Sequence, residues 1–305
     1  MKRKPYRFFL YLLLQLGSFI ISLLPIRIAV SLGGALGVAA YSLLARYRES
    51  TLENLRFAFS GEKSEEEIAA IAKDVFRNIG KTAVECISLR KFDPQTVRHL
   101  FVEKDYKPLL DLASKGKGVI ALGFHFGNWE MSTVGGVAFG LDVTVIGRRI
   151  YYPPYNSFLV SLREKKGVKT LYRDDKDVIR KSVRVLRGKN VLGVVPDQDI
   201  DSIDGVFVNF FGRPAYTAIG PVVMAMISGA PILPTFMIRE NGRFRLLIEE
   251  PIYVHETGDR ERDILSYTQR WTEVAEKVIR KHPSHWVWMH RRWKTRPRHE
   301  QTVSC

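Results

Sequence analysis

GVIALGFHFGNWE, residues 118–130, joins a short apolar run to a histidine, an asparagine and a carboxylate. Val119, Ile120, Ala121 and Leu122 form a run that is β-branched at its start and closed by Gly123, which predicts a short buried strand. Asn128 is a good N-cap, so a helix is expected directly after it. This puts His125 on a strand-to-helix loop and Glu130 in the first helical turn, within reach of each other. A carboxylate bonded to one imidazole nitrogen fixes the tautomer and leaves the other nitrogen to accept a proton. No serine or cysteine sits beside the pair, so the hydroxyl to be activated is expected to belong to a substrate. The competing reading of the segment alone is a capped core histidine without chemistry.

Outward from this segment, short apolar runs alternate with helical stretches. Strands are expected over 119–122, 143–146, 191–195, 231–237 and 244–248, and helices over 155–166, 176–187, 218–227 and 263–281. That alternation predicts an α/β domain with a mixed central sheet flanked by helices. In open α/β sheets the reactive groups gather at the carboxyl ends of strands, where His125 has been placed. Upstream, Ser64 and Glu67 form a capping box for a helix whose apolar positions, Ile68 to Cys86, recur at helical spacing. The chain has 305 residues, with no linker, repeat or low-complexity segment, which fits one core of roughly 250 residues.

The N-terminus carries Lys2, Arg3, Lys4 and Arg7, then an uncharged apolar run over 8–24 that is about the minimum for a spanning helix. The basic flank predicts that this end stays cytoplasmic. A cleaved signal peptide is the competing reading, but no small-x-small site follows cleanly and the apolar region is long for a signal core. An uncleaved anchor is expected, spanning the bilayer or lying deep in its interface. A second apolar stretch, 28–45, contains Gly33, Gly34 and Gly37 and suits packing as a hairpin partner or against the globular domain better than exposure to lipid. The expected division is an anchor over 1–45 and a globular domain over 46–305. The net charge of +15 points to an anionic partner. No nucleic-acid-binding motif accompanies it, and an anionic membrane surface fits better. Cys86 and Cys305 lie far apart and suggest no disulfide framework, in keeping with a reducing compartment.

Further constellations lie downstream. The run VVPDQD, 194–199, ends a second apolar strand in Asp197 and Asp199, which would converge with His125 at one sheet edge. A divalent metal needs more oxygen ligands than can be assembled here, so none is expected. Arg148 and Arg149 end a third strand, and Arg163 lies on the next helix beside Glu164, Lys165 and Lys166. Such charges are either solvated surface or, near a catalytic histidine, holders of phosphate or an oxyanion. GVFVNFFGRPAYT, 205–217, reads as a core hairpin or as the wall of an acyl-chain groove. HPSHWVWMHRRWKTRPR, 282–298, interleaves indoles with cations, as at a membrane interface, with base stacking as the rival use.

Together these residues resemble the lipid A late acyltransferases, the lauroyl- and myristoyl-transferring branch of the lysophospholipid acyltransferase superfamily, over nearly the whole chain. The resemblance rests on the N-terminal anchor, on HFGNWE as the His-x4-acid motif and on the helix over 156–167 carrying Arg163. It rests also on PDQD at 196–199, the GVFVNFFGRPAYT block and the terminal tryptophan-histidine-arginine block. The Glu-Gly-x-Arg element of the glycerol-phosphate branch is missing, and Glu130 stands where many relatives have Asp. The resemblance implies a lysophospholipid acyltransferase-like fold and transfer of an acyl group from acyl carrier protein or acyl-CoA to a hydroxyl of a lipid A precursor, with no cofactor. It implies His125 as general base, Glu130 as its orienting partner, and Arg163 and Asp199 completing the polar site. Arg149, Asn156, Asp197 and Gln198 would contact substrate. The implied partners are the acidic acyl carrier protein, docked on the basic surface, an anionic lipid acceptor and the membrane surface, with no nucleic acid. The implied location is the inner membrane, with the catalytic domain facing the cytoplasm. Two alternatives stand beside this: acylation of another membrane lipid, such as a phosphatidylinositol mannoside or an aminolipid, and a non-catalytic membrane-surface binding protein.

Overall fold

Val119–Leu122 forms β1, whose side chains are buried apart from the partly exposed Ala121. The computed structural model describes residues 6–91 and 96–297; the basic flank Lys2, Arg3 and Lys4, together with Arg298 and Cys305, lies outside them. Ahead of β1 come α1 (Tyr6–Leu23), α2 (Ile26–Leu43), α3 (Ala45–Ala58), α4 (Glu65–Ser88) and α5 (Lys107–Ser114). After it follow α6 (Trp129–Ala138), β2 (Val143–Gly147), α7 (Pro153–Glu164), β3 (Lys169–Tyr172), α8 (Val178–Arg187) and β4 (Val191–Val194). The chain continues through β5 (Gly205–Phe210), β6 (Arg213–Ala218), α9 (Gly220–Ser228), β7 (Ile232–Glu240), β8 (Arg243–Ile248) and α10 (Arg260–Lys281).

Six strands form the central sheet in the order β3-β2-β4-β1-β7-β8, parallel throughout except for β8, which runs antiparallel to β7. β5 and β6 form a separate antiparallel hairpin. The mixed sheet and every expected strand are present, with ends shifted by a few residues. β3 is the strand the sequence pattern misses: Lys169 to Tyr172 is an edge segment with no fully buried residue, so it lacks an apolar signature. Alternating side chains split the core between the two sheet faces. Ile120, Leu122, Leu192 and Val194 pack with α3, α4, α9, α10 and the hairpin. Val119, Val143, Val145 and Val191 pack with α5 and α6. The capping box on α4 is formed, with Ser64 Oγ accepting from Glu67 N and Glu67 accepting from Ser64 N.

α1 and α2 are each 18 residues long with a mean hydropathy of 1.5, long and apolar enough to cross a membrane. α1 leaves Phe8, Phe9, Leu16 and Phe19 exposed, whereas α2 buries Ala29, Gly33, Gly34 and Gly37. Those glycines meet α4. A Cβ on Gly37 would collide with the Phe76 carbonyl oxygen, and one on Gly80 with that of Gly33, so the two backbones touch. The second apolar stretch is therefore docked on the globular domain.

Gly80→Ala is expected to force these helices apart at a cost of roughly 1–3 kcal/mol, as overpacking does. Gly17→Ala, which meets nothing within 4 Å, should leave stability unchanged or slightly raised. Thermal unfolding in detergent checks both; equal midpoints would contradict the close approach.

Candidate active site

Leu122 of β1 is registered to Val194 of β4, and the Gly123 N–H donates to the Val194 carbonyl at 2.8 Å. His125 and Asp197 each lie three residues beyond that pair, so the two parallel strands deliver them to the same point. The His125 backbone N–H donates to Asp197 Oδ2 at 2.8 Å, and His125 Nδ1 lies 2.7 Å from Oδ1. Trp286 Nε1 donates to Oδ2 at 2.9 Å. Asp197 is thus buried with three donors around it. Burial alone would raise its carboxyl pKa, but the charge and hydrogen bond of His125 and the bond from Trp286 hold it down at about 2. An ionised carboxylate at Nδ1 keeps the proton on that nitrogen and leaves the lone pair on Nε2.

Gln198 Nε2 lies 3.1 Å from His125 Nε2 and 2.9 Å from His290 Nε2, so one amide donates to both imidazoles. Burial, then the neighbouring His125, push His290 down to about 4, which keeps it neutral and able to accept. The C-terminal segment is held on the His125 loop by main-chain bonds: Gly127 N donates to His285 O and Val287 N to His125 O, at 2.8 and 3.0 Å. Gly127 has φ +57, and a Cβ there would strike the Met237 carbonyl oxygen. Only glycine suits that position.

Glu130 does not reach His125. The pairing expected between them is replaced by His125–Asp197, and Glu130 instead accepts two bonds from Arg163, Nε at 2.8 Å and Nη2 at 2.5 Å. The start of α6 points Glu130 along the cavity wall toward α7, while the loop carries the imidazole back to β4. Asn128 caps α6 by accepting from Met131 N at 3.2 Å, as expected, and donates to Glu85 Oε2 at 2.8 Å. Glu85 is in turn paired with Arg239, a partly buried ion pair that holds the cap in place.

His125, Glu130, Arg163 and Gln198 line one cavity of about 620 Å³, together with Arg148, Arg173 and Trp129. Its deeper walls are apolar, including Ala121, Val145 and Gly193 on one sheet face and Ile179, Val223 and Met224 on the other. The remaining expected site residues lie elsewhere. Asp199 accepts from the N–H and hydroxyl of Thr295 at 2.8 and 2.7 Å, tying down the C-terminal segment rather than completing the polar site. Arg149 turns outward to Asp174 and Asp175. Asn156 accepts from Ile150 N and donates to the Tyr172 hydroxyl, bracing the loop into α7. Asp197 sits behind the imidazole and does not line the cavity. Lys166, expected on a solvated face, is buried.

Both larger blocks lie in the core, which agrees with the hairpin reading of 205–217 and departs from both readings of the terminal block. Trp286, Trp288 and Trp293 are core residues, at most 6% exposed, so the terminal block is no interfacial belt. Their packing partners are Phe210 and Phe211, which makes the 205–217 block a core hairpin. Neither phenylalanine lines the cavity. His290 and Trp286 are the site residues that sequence reading missed. The only signal for them was their place in a block dense in indoles and cations, which reads equally well as surface. Among the described residues no group of His, Cys, Asp or Glu is arranged to hold a metal ion.

The family described as "Bacterial lipid A biosynthesis acyltransferase" matches residues 2–295. The lipid A biosynthesis palmitoleoyltransferase of Escherichia coli (strain K12) is 27% identical over 288 residues, 92% of this chain and 89% of that protein. The lauroyltransferase of the same organism is 27% identical over 281 residues, 90% and 88% of the two chains. A phosphatidylinositol mannoside acyltransferase of Mycobacterium tuberculosis (strain CDC 1551 / Oshkosh) is 26% identical over 187 residues, 60% of this chain and 57% of that protein.

Asp197→Asn preserves shape but removes the charge that holds the His125 proton on Nδ1. Acyl transfer by this variant is expected to fall about 10²- to 10⁴-fold, with a circular dichroism spectrum like that of the wild type. A fall of less than tenfold in steady-state rate would show that Asp197 does not orient the imidazole.

Proposed function

The chain belongs to the bacterial lipid A biosynthesis acyltransferase family, and from that premise we propose that it transfers a fatty acyl group from a thioester to a hydroxyl of a lipid A precursor. The observation that carries the mechanism is an imidazole backed by a buried carboxylate, with its far nitrogen facing a largely apolar cavity. The acceptor hydroxyl takes the place of the Gln198 amide at His125 Nε2. As the hydroxyl oxygen attacks the thioester carbonyl carbon, its proton passes to Nε2 and the carbonyl electron pair moves onto oxygen. Collapse of the tetrahedral intermediate breaks the carbon–sulfur bond, and the proton on Nε2 goes to the departing thiolate. Asp197 stabilises the imidazolium between these steps. Arg163, fixed on the cavity wall by Glu130, is the cation available to the developing oxyanion.

The thioester is that of acyl carrier protein or of coenzyme A. A net charge of +15 favours an acidic carrier protein and an anionic lipid as partners and adds attraction to an anionic membrane surface. The protein is membrane-associated through its apolar N-terminal helices, with residues 1–45 as the anchor. The N-terminal end of α1 meets the loop that follows β2 and the first turn of α7: Arg7 lies over the Tyr151 ring at 4.8 Å, and the Tyr155 hydroxyl donates to Arg7 O at 3.4 Å. Arg7, the described member of the basic N-terminal cluster, thus lies on the active-site side, which supports an inner-membrane enzyme with its site on the cytoplasmic face. The mycobacterial relatives favour a second reading, acylation of a different phosphosugar lipid by the same chemistry.

Purified full-length protein, an acyl carrier protein thioester and either acceptor form the test, read by mass spectrometry. A lipid A precursor should gain the mass of one acyl chain. His125→Ala should lower the rate about 10²- to 10⁴-fold, and Arg163→Lys should cost at least about tenfold, because a point charge cannot reproduce the two-pronged contact with Glu130. A product formed only with the phosphatidylinositol mannoside would favour the second reading, and wild-type rates in His125→Ala would overturn the mechanism.

A further inference from the structure

Arg148 and Arg173 are placed side by side by the sheet itself. β2 and β3 run parallel with Gly147 registered to Tyr172, and the Arg173 N–H donates to the Gly147 carbonyl at 2.9 Å, so the next residue of each strand is an arginine. Both line the cavity that holds His125 and Gln198. Among the described residues neither guanidinium has a carboxylate or hydrogen-bond partner. Carboxylates are close at hand: Asp174 and Asp175 directly follow Arg173, yet they bind Arg149 and Lys181. Burial and the adjacent Arg148 charge together pull the Arg173 pKa below its usual value, against the opposite pull of Asp174. Two like charges on neighbouring strands repel each other, and an anion between them would relieve that repulsion.

We propose that Arg148 and Arg173 form a phosphate subsite, gripping a phosphate group of one of the two substrates. Guanidinium forks match phosphate oxygens in paired hydrogen bonds. The strand order β3-β2-β4-β1 sets β2 two strand spacings, about 10 Å, from the strand that delivers His125. A phosphate held here is thus clear of the reacting atoms but inside the same cavity. Phosphate chemistry of this kind has two sources, the phosphosugar of the acceptor and the phosphopantetheine arm of the donor. The choice between them rests on the acyltransferase reading above, but the subsite does not.

The test uses the full chain in detergent as wild type, Arg148→Gln, Arg173→Gln and the double variant, with the exposed Lys165→Gln as a lost-charge control. The first arm needs no turnover: binding of inorganic phosphate is followed by phosphorus-31 line broadening. Wild type and Lys165→Gln should bind saturably, and the double variant should bind at least about tenfold more weakly. No saturable binding by the wild type, or equal binding by all variants, overturns the subsite. The second arm locates the source through KM. If the acceptor phosphate docks here, the double variant should raise KM roughly ten- to hundredfold for the phosphorylated acceptor but not for its dephosphorylated form. If the donor phosphate docks here, the rise should appear with acyl carrier protein and vanish with a short acyl thioester that lacks phosphate. A rise indifferent to phosphate on either substrate overturns the proposal. A wild type that binds phosphate but transfers no acyl group would instead sink the acyltransferase reading and leave the subsite standing.

Discussion

Parallel pairing of β1 with β4 in a single register is the constraint from which the active site follows. Because Leu122 faces Val194, equal extensions of the two strands bring His125 and Asp197 together, and main-chain as well as side-chain bonds join them. Side chains alternate faces along a strand, so a slip of one residue would send the carboxylate to the wrong side. The neighbouring β2–β3 pair works in the same way, setting Arg148 beside Arg173. Chemistry is thus laid out along one edge of the sheet, with the register of the core strands acting as the ruler.

A buried carboxylate such as Asp197 is costly unless its oxygens are satisfied. Trp286 supplies one of the three donors, which explains why the C-terminal segment folds back over the site instead of lying on a membrane. Phe126 and Trp286 form an antiparallel bridge, and Asp199 anchors Thr295 further along. On the opposite side, the Glu85–Arg239 pair holds Asn128, the cap of α6. The His125 loop is therefore clamped from both directions, and the catalytic geometry belongs to the packed core.

Much of this was legible in the sequence. The apolar run over 119–122, the Asn128 cap, the Ser64–Glu67 box and the strand ends carrying His125 and Asp197 follow local rules of burial, capping and alternation that need no tertiary knowledge. The partner of His125 was not legible. Glu130 is close in sequence and Asp197 is distant, and only strand order, which the sequence pattern leaves open, makes the distant residue the neighbour. Arg149 and Arg148 look alike as letters. Their separation into an outward ion pair and a cavity lining depends on Asp174 and Asp175, which sit after the unrecognised β3. The terminal tryptophans were misread for a related reason: indoles beside cations describe a membrane interface and a cation-rimmed core equally well, and burial decides between them.

The state of the His125 ring is the most direct point of contact between this geometry and experiment. Nitrogen-15 NMR of histidine-labelled protein at neutral pH, with the His125→Gln variant to identify the signal, reports which ring nitrogen carries the proton. Asp197 at Nδ1 and the Gln198 amide at Nε2 predict that the tautomer of the neutral ring is the one protonated at Nδ1 and bare at Nε2. A ring protonated at Nε2 and bare at Nδ1 would contradict the assignment of Asp197 as the orienting carboxylate and of Nε2 as the base.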